Sequence, residues 1–245
     1  MNENIDLMNF MYRVMEELTK EGVPVVFKGA MILNLAIKNN NPSSVERATH
    51  DIDGDWIGNV PTMDEMENAL KKAVKKIDPE LDVKIKREFG EHRAAGFKIV
   101  NLNNEKIASI DLSVRQNKFC ESYYSYVGGA TINGASISKM LSDKIYAISG
   151  ERIFNRVKDI LDIYTMSFIT KIDFYELQNI WNETNRTLGE FSAFKTHYDE
   201  LNIAYQKMKG IKNKPDFKDV YNRVNGIIKE LDINLFINKH RNRKR

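Results

Sequence analysis

Residues 47–57 read Arg47-Ala48-Thr49-His50-Asp51-Ile52-Asp53-Gly54-Asp55-Trp56-Ile57. In an extended strand alternate side chains share a face, so Arg47, Thr49, Asp51, Asp53 and Asp55 point one way. Ala48, His50, Ile52, Gly54 and Trp56 point the other. Three carboxylates on one strand face repel unless positive charge sits among them. A divalent metal, suited to hard oxygen ligands, is the expected neutraliser and would serve phosphate chemistry. The competing reading is a solvated acidic turn. A calcium loop of the EF-hand type fits poorly in both registers. Begun at Asp51, it puts Trp56 at the glycine position and Thr62 at the final acid. Begun at Asp53, it places Gly58 and Asp64 well, but it has Ile57 where an oxygen is required and lacks the closing Glu.

A second carboxylate of interest lies in Lys106-Ile107-Ala108-Ser109-Ile110-Asp111-Leu112-Ser113-Val114. Asp111 has apolar neighbours on both sides, and burying it is costly unless it is paired or binds metal. It could equally lie on the solvated face of an antiparallel sheet. Beside Asp51 and Asp53 on a neighbouring strand it would complete a three-carboxylate cage. Upstream, Val25-Val26-Phe27-Lys28-Gly29-Ala30-Met31 runs strand, glycine, helix. A helix N-terminus opened by glycine offers amides to an anion and lets it approach closely. The segment is not a P-loop, because the second glycine and the Lys-Ser/Thr pair are absent.

The rest of the chain sets the frame. At 245 residues with 42% hydrophobic and 29% charged residues, the composition is that of a soluble globular protein with a real core. The single cysteine, Cys120, excludes an internal disulfide or a cysteine-rich metal site; its expected role is core filler. The start, Met-Asn-Glu-Asn, lacks the pattern of a signal peptide. The longest apolar run, residues 23–37, is interrupted by Pro24, Lys28, Gly29 and Asn34, so no membrane span is expected and the cytoplasm is the default. The net charge of +3 hides an asymmetry: residues 210–245 carry ten Lys or Arg against four Asp or Glu. The tail from Lys239 to Arg245 is basic enough to touch a phosphate backbone, unless it is simply a solvated terminus.

Periodicity predicts helices over 5–20, 29–38 and 63–77, and a short buried strand at 25–27. It predicts further strands over 83–89, 94–102, 107–114, 122–127 and 130–137. From Ser138 onward nearly everything reads as helix. The expected organisation is α/β (α+β): residues 1–137 with a mixed sheet and flanking helices, then a helical domain over 138–245. Tyr123, Tyr124 and Tyr126 are either sheet neighbours or a platform for stacking a base.

The order of these parts resembles the nucleotidyltransferase superfamily that includes polymerase beta. More narrowly, Phe27-Lys28-Gly29-Ala30 with Arg47-x-Thr49-x-Asp51-Ile52-Asp53 resembles the AbiEii/AbiGii toxin group. Its further hallmark, a Lys followed by Arg-x-Lys-Asp-x-x-Asp, is similar to Lys144 with Arg156-Val157-Lys158-Asp159-Ile160-Leu161-Asp162. The likeness covers about residues 23–165. There are departures: Ala30 stands where a second glycine or a serine is usual, and Gly54-Asp55 follows the acid pair where an apolar residue is usual.

The resemblance implies two-metal transfer of a nucleoside monophosphate from an NTP. Asp51, Asp53 and Asp111 would hold Mg2+ (or Mn2+), with Asp111 alternatively activating the attacking hydroxyl. Lys28, Gly29, Ala30, Arg47 and Thr49 would line the nucleotide site, and Lys144 would grip the triphosphate. Asp159 would orient or deprotonate the acceptor, with Arg156 holding its geometry. Without the resemblance, Arg152, Arg156, Asp159 and Asp162 form one polar helix stripe of ordinary ion pairs, and Lys144 is a snorkelling lysine. The implied acceptor is an RNA 3′ end, with tRNA favoured, and the implied partner is a cognate antitoxin in a toxin–antitoxin or phage-defence system. Two rival readings remain open: the same chemistry on a small molecule or protein hydroxyl, and a non-catalytic NTP- or RNA-binding module.

Overall fold

The computed structural model describes the backbone of residues 3–40, 45–88 and 93–242, and side chains over 7–40, 45–88 and 93–234. The chain forms two compact units. The first comprises Met1–Pro42 and Arg47–Ser136; the second comprises Ser43–Glu46 and Ile137–Arg245.

In the first unit, α1 (Glu3–Lys20), β1 (Val25–Lys28) and α2 (Gly29–Asn40) are followed by the two-residue strand β2 (Glu46–Arg47), where the division between units falls. Then come β3 (Asp51–Trp56), α3 (Met63–Ile77), β4 (Asp82–Arg87), β5 (Ala94–Val100), β6 (Lys106–Val114), β7 (Cys120–Ser125) and β8 (Ala130–Ala135). Seven of these strands make one mixed sheet in the order β4-β5-β6-β3-β1-β8-β7. Strand β3 runs antiparallel to β1 and parallel to β6, and β1 runs parallel to β8.

Alternation gives the sheet two unlike faces. Val83, Phe97, Ile99, Ala108, Ile110, Leu112 and Ile52 all lie fully buried on one. Helix α1 packs on β1, β6 and β8, and α3 packs on β4 and β5. Helix α3 begins where Pro61-Thr62 predicts: Thr62 Oγ1 accepts from Glu65 N at 3.1 Å, and Glu65 Oε2 accepts from Thr62 N at 2.7 Å. The other sheet face carries Lys84, Arg87, Lys98, Ser109, Asp111, Asp51, Asp53 and Asp55, following the strand register.

Helix α2 is buried almost throughout and carries two asparagines that each clamp a distant residue's backbone. Asn34 donates to Arg47 O at 2.8 Å and accepts from Arg47 N at 3.3 Å. Asn39 donates to Tyr124 O and accepts from Tyr124 N, both at 3.0 Å. Tyr124 lies on β7, an edge strand of the sheet.

The second unit is mainly helical: α4 (Ile137–Ile148), a 3-10 turn (Ile153–Arg156), α5 (Val157–Ile169), α6 (Phe174–Glu183), α7 (Ser192–Thr196), α8 (Tyr198–Gln206), β9 (Ile211–Lys212) and α9 (Phe217–Asn242). Trp181 Nε1 donates to Ser142 O at 3.0 Å, tying α6 to α4. Arg223 donates to Ser167 O at 3.1 Å, tying α9 to the end of α5. Among the described residues, no helix is long and apolar enough to cross a membrane.

Several expectations shift. The strand expected over 122–127 lies at Cys120–Ser125, and the one expected over 130–137 stops at Ala135 because α4 starts at Ile137. The strand expected over 83–89 is Asp82–Arg87, and position 89 lies outside the described residues. Cys120 is exposed rather than core filler, since it begins an edge strand. Side chains of the basic tail 239–245 also lie outside the described residues.

Candidate active site

The acid strand is shorter than alternation suggests. Arg47 belongs to β2, residues 48 and 49 lie between strands, His50 O accepts from Ser109 N at 3.1 Å, and β3 begins at Asp51. Arg47 and Thr49 therefore do not continue the strand face of the aspartates. Arg47 is fixed by the Asn34 clamp, and Thr49 Oγ1 accepts a long 3.4 Å bond from Asp51 N. The signal that could have pointed to Asn34 is a polar side chain inside an otherwise apolar helix, now 1% exposed.

From Asp51 the expected alternation holds, but the three aspartates differ. Asp51 is exposed, Asp53 half-buried and Asp55 buried. Lys28 forms an ion pair with Asp55, and Asn117 Nδ2 donates to its other oxygen at 3.2 Å. Asp55 is thus satisfied within the fold, and the Lys28 ammonium expected at the phosphate site sits on this carboxylate. Asn117 was not singled out from sequence; a residue 62 positions away has no spacing signal.

Asp53 and Asp111 are direct register partners on the parallel strands β3 and β6, and Asp51 is partnered by Ser109. The Ser109 hydroxyl is buried and has no hydrogen-bond partner. On the far side Arg87 Nη2 donates to Asp111 Oδ1 at 2.9 Å. Among the described residues, no three His, Cys, Asp or Glu side chains stand close enough to hold an ion together. Asp53 and Asp111 are neighbours, Asp51 stands one pleat along, and Arg87 engages Asp111.

Gly29, at the head of α2, has φ +73°, which disfavours any residue with a Cβ. A Cβ there would lie 2.5 Å from Asp53 Oδ2. The missing side chain lets the Asp53 carboxylate rest against the N-terminus of α2, where the helix dipole favours negative charge. Ala30, next in line, is buried within α2. The space beside Gly29, where a phosphate is expected, is bordered by the Asp53 carboxylate.

The later motif lies in the second unit and makes a separate cluster. Lys144 on α4 bonds Asp159 Oδ1 and Asp162 Oδ2 of α5, each at 2.7 Å. Lys144 is 14% exposed and Asp162 only 3%. Burial pulls the ammonium down, but the charges of Asp162 and Asp159 outweigh it and hold Lys144 above the ordinary lysine range. Arg156 reaches Asp159 more loosely, at 3.6 Å. The expected single helix stripe is thus divided: Arg152 and Arg156 precede α5, and the two aspartates turn to a lysine on another helix. Of the tyrosines, Tyr123 is buried and donates to Ala135 O at 2.8 Å. Tyr124 and Tyr126 are exposed and meet edge-to-face at 4.9 Å.

Comparison with curated protein sequences finds no match. Among solved structures the fold is similar to JHP933 of Helicobacter pylori, with 15% identity, 98% of each chain covered and a TM-score of 0.54. It is also similar to MenT4, a nucleotidyltransferase toxin of Mycobacterium tuberculosis, with 11% identity, 91% of this chain and 83% of that one covered, and a TM-score of 0.53. At such identities the likeness is one of fold. The family model described as nucleotidyl transferase AbiEii toxin, type IV toxin–antitoxin system, matches residues 10–224. With nearly the whole chain matched, and a strand–glycine–helix turn set against an aspartate pair, the protein belongs to the AbiEii family of nucleotidyltransferase toxins.

Proposed function

We propose that this nucleotidyltransferase is metal-dependent and moves a nucleoside monophosphate from an NTP to the 3′ end of an RNA, with tRNA the favoured acceptor. The observation that carries the reading is the register pairing of Asp53 with Asp111, one pleat from Asp51, against the glycine-opened end of α2. The donor set fits a hard divalent cation: carboxylates on one sheet face, and beside them the buried, unpartnered Ser109 hydroxyl. Asp51 and Asp53 would hold Mg2+ or Mn2+, with Asp111 joining or accepting the proton of the attacking hydroxyl. When bound, the cation would offset charge on the triphosphate and on the leaving pyrophosphate.

The protein's own groups supply position and charge. Asp53 stays against α2, which fixes one carboxylate rotamer. Arg47 is presented by the Asn34 clamp, and Thr49 sits beside Asp51 N. Lys28 keeps Asp55 neutralised within the fold. Residues 1–137 form the nucleotidyltransferase domain in this reading, and 138–245 a helical domain. There Lys144, Asp159 and Arg156 serve the triphosphate and the acceptor, and the basic tail tracks RNA. The setting is a cytoplasmic toxin–antitoxin or phage-defence system with a cognate antitoxin as partner.

The test is incubation with each labelled NTP, Mg2+ and total RNA, resolved on a denaturing gel. A labelled band of tRNA size that disappears in Asp51→Ala and Asp53→Ala is the expected outcome. Label on no RNA with any NTP overturns the acceptor assignment, and label that persists in both variants overturns the site.

A further inference from the structure

The register of four strand pairs lines up one residue per strand: Arg87 opposite Gly96, Gly96 opposite Asp111, Asp111 opposite Asp53, and Asp53 opposite Lys28. Two acids thus sit side by side at the centre of a row with a cation at each end. The cations are held differently. Lys28 turns to the buried Asp55, whereas Arg87 spans an intervening strand to reach Asp111.

Two local features make that reach possible. Strand β4 has an irregularity between Ile85 and Arg87, so that Lys86 is the extra residue. Without it, Lys86 would oppose Gly96 and Arg87 would point to the apolar face; the bulge re-aims the arginine. Gly96 then keeps the path clear. A Cβ there would lie 3.1 Å from Asp111 Oδ1 and 3.5 Å from Arg87 Cβ, in the line of the guanidinium.

We infer that Arg87 is the exchangeable counter-ion of Asp111: it holds the carboxylate while the divalent cation is absent and releases it when the cation binds. The inference rests on the metal site proposed above. Side-by-side carboxylates on adjacent strands need a positive charge in either state. The Arg87 side chain is 56% exposed and that of Asp111 33%, so the ion pair is solvent-screened and weakly held, as exchange requires. Lys28–Asp55, with Asp55 8% exposed, is the permanent pair of the row.

The experiment is Mn2+ titration without nucleotide, by calorimetry or electron paramagnetic resonance, together with melting curves with and without Mn2+. It compares wild type with Arg87→Gln, Lys84→Gln and Asp53→Asn. Arg87→Gln should bind Mn2+ about three- to tenfold more tightly, because no competing arginine must leave first. It should melt lower than wild type without metal and match it with Mn2+. Lys84 lies on the same strand and face but donates to Asn104 at 2.9 Å. Its removal should leave the affinity within about twofold, since an exposed charge that bonds neither acid acts on the site only through screened solvent. Unchanged affinity in Arg87→Gln, or equal tightening in Lys84→Gln, overturns the role of the arginine. A wild type that binds no Mn2+, or binding that survives in Asp53→Asn, overturns the metal site itself and this inference with it.

Discussion

The two acid clusters of this protein use the same residue types toward opposite ends. On the sheet face, Asp51, Asp53 and Asp111 are exposed or half-buried, and Arg87, which holds Asp111, is half in solvent. In the helical unit, one largely buried lysine bonds two aspartates, of which Asp162 is buried and Asp159 partly so. A half-buried carboxylate such as Asp111, with a counter-ion half in solvent, can change partners cheaply. The Lys144 triad does so at greater cost, because each partner lost leaves a poorly solvated charge behind. The family motif runs through both, so a residue's presence in a motif does not say whether it is held open for ligand or locked into the fold.

The largest expected effect separates the clusters most sharply. Lys144→Met removes the cation that Asp159 and Asp162 share, leaving Asp159 the looser Arg156, and should cost about 3 kcal/mol in urea unfolding. Its loss therefore cannot be read as a pure functional defect. The raised lysine pKa fixes the pH window. The folded value lies above 10.5, so the contribution of Lys144 is complete below pH 10.5 and lost only as pH rises through the folded value. A wild-type melting temperature that falls between pH 8 and 10 through this group would contradict the arrangement.

Asp53→Asn should do the reverse. Transfer should fall at least about a hundredfold, the scale of losing one contact to developing charge. The melting temperature should stay within about 2 °C, under about 1 kcal/mol for a chain of this size. Gly29→Ala should join the two behaviours, because its φ of +73° and the Asp53 oxygen beside it both oppose a Cβ. About 2 kcal/mol of stability should be lost, together with transfer, since the strain bears on the proposed ligand itself. Asn34→Ala should show the smallest effect, about 1 kcal/mol by chemical denaturation. It should also raise the apparent KM for NTP if Arg47 is positioned for nucleotide, and leave KM unchanged if the clamp is only structural.

How far the sequence could be read depends on the range of the interaction. Alternation from Asp51 to Trp56 and the glycine before α2 are local signals, and they placed the aspartates and the helix N-terminus correctly on one sheet. Alternation does not report where a strand begins, so Arg47 and Thr49 were assigned to a face they do not share. Arg87 was invisible because its direction depends on an extra residue whose effect appears only against a partner strand. The spacing of Asp159 and Asp162 was legible, but the lysine that receives both lies on another helix. Asn34 and Asn39 clamp backbones 13 and 85 residues away, and no pattern within a window encodes that.

The Asn39 clamp has a bearing on how this protein behaves in company. A strand at the rim of a sheet exposes donors and acceptors that any other extended chain can match, and rims are where sheets fuse into aggregates. Here a side-chain amide occupies the donor and acceptor of Tyr124, imitating the neighbour that β7 lacks. The opposite rim is protected by other means, with Lys84, Lys86 and Arg87 clustered near a bulge on β4. Both margins of the sheet thus discourage self-association, and a partner that docks there must first displace an amide or neutralise a cluster of like charges.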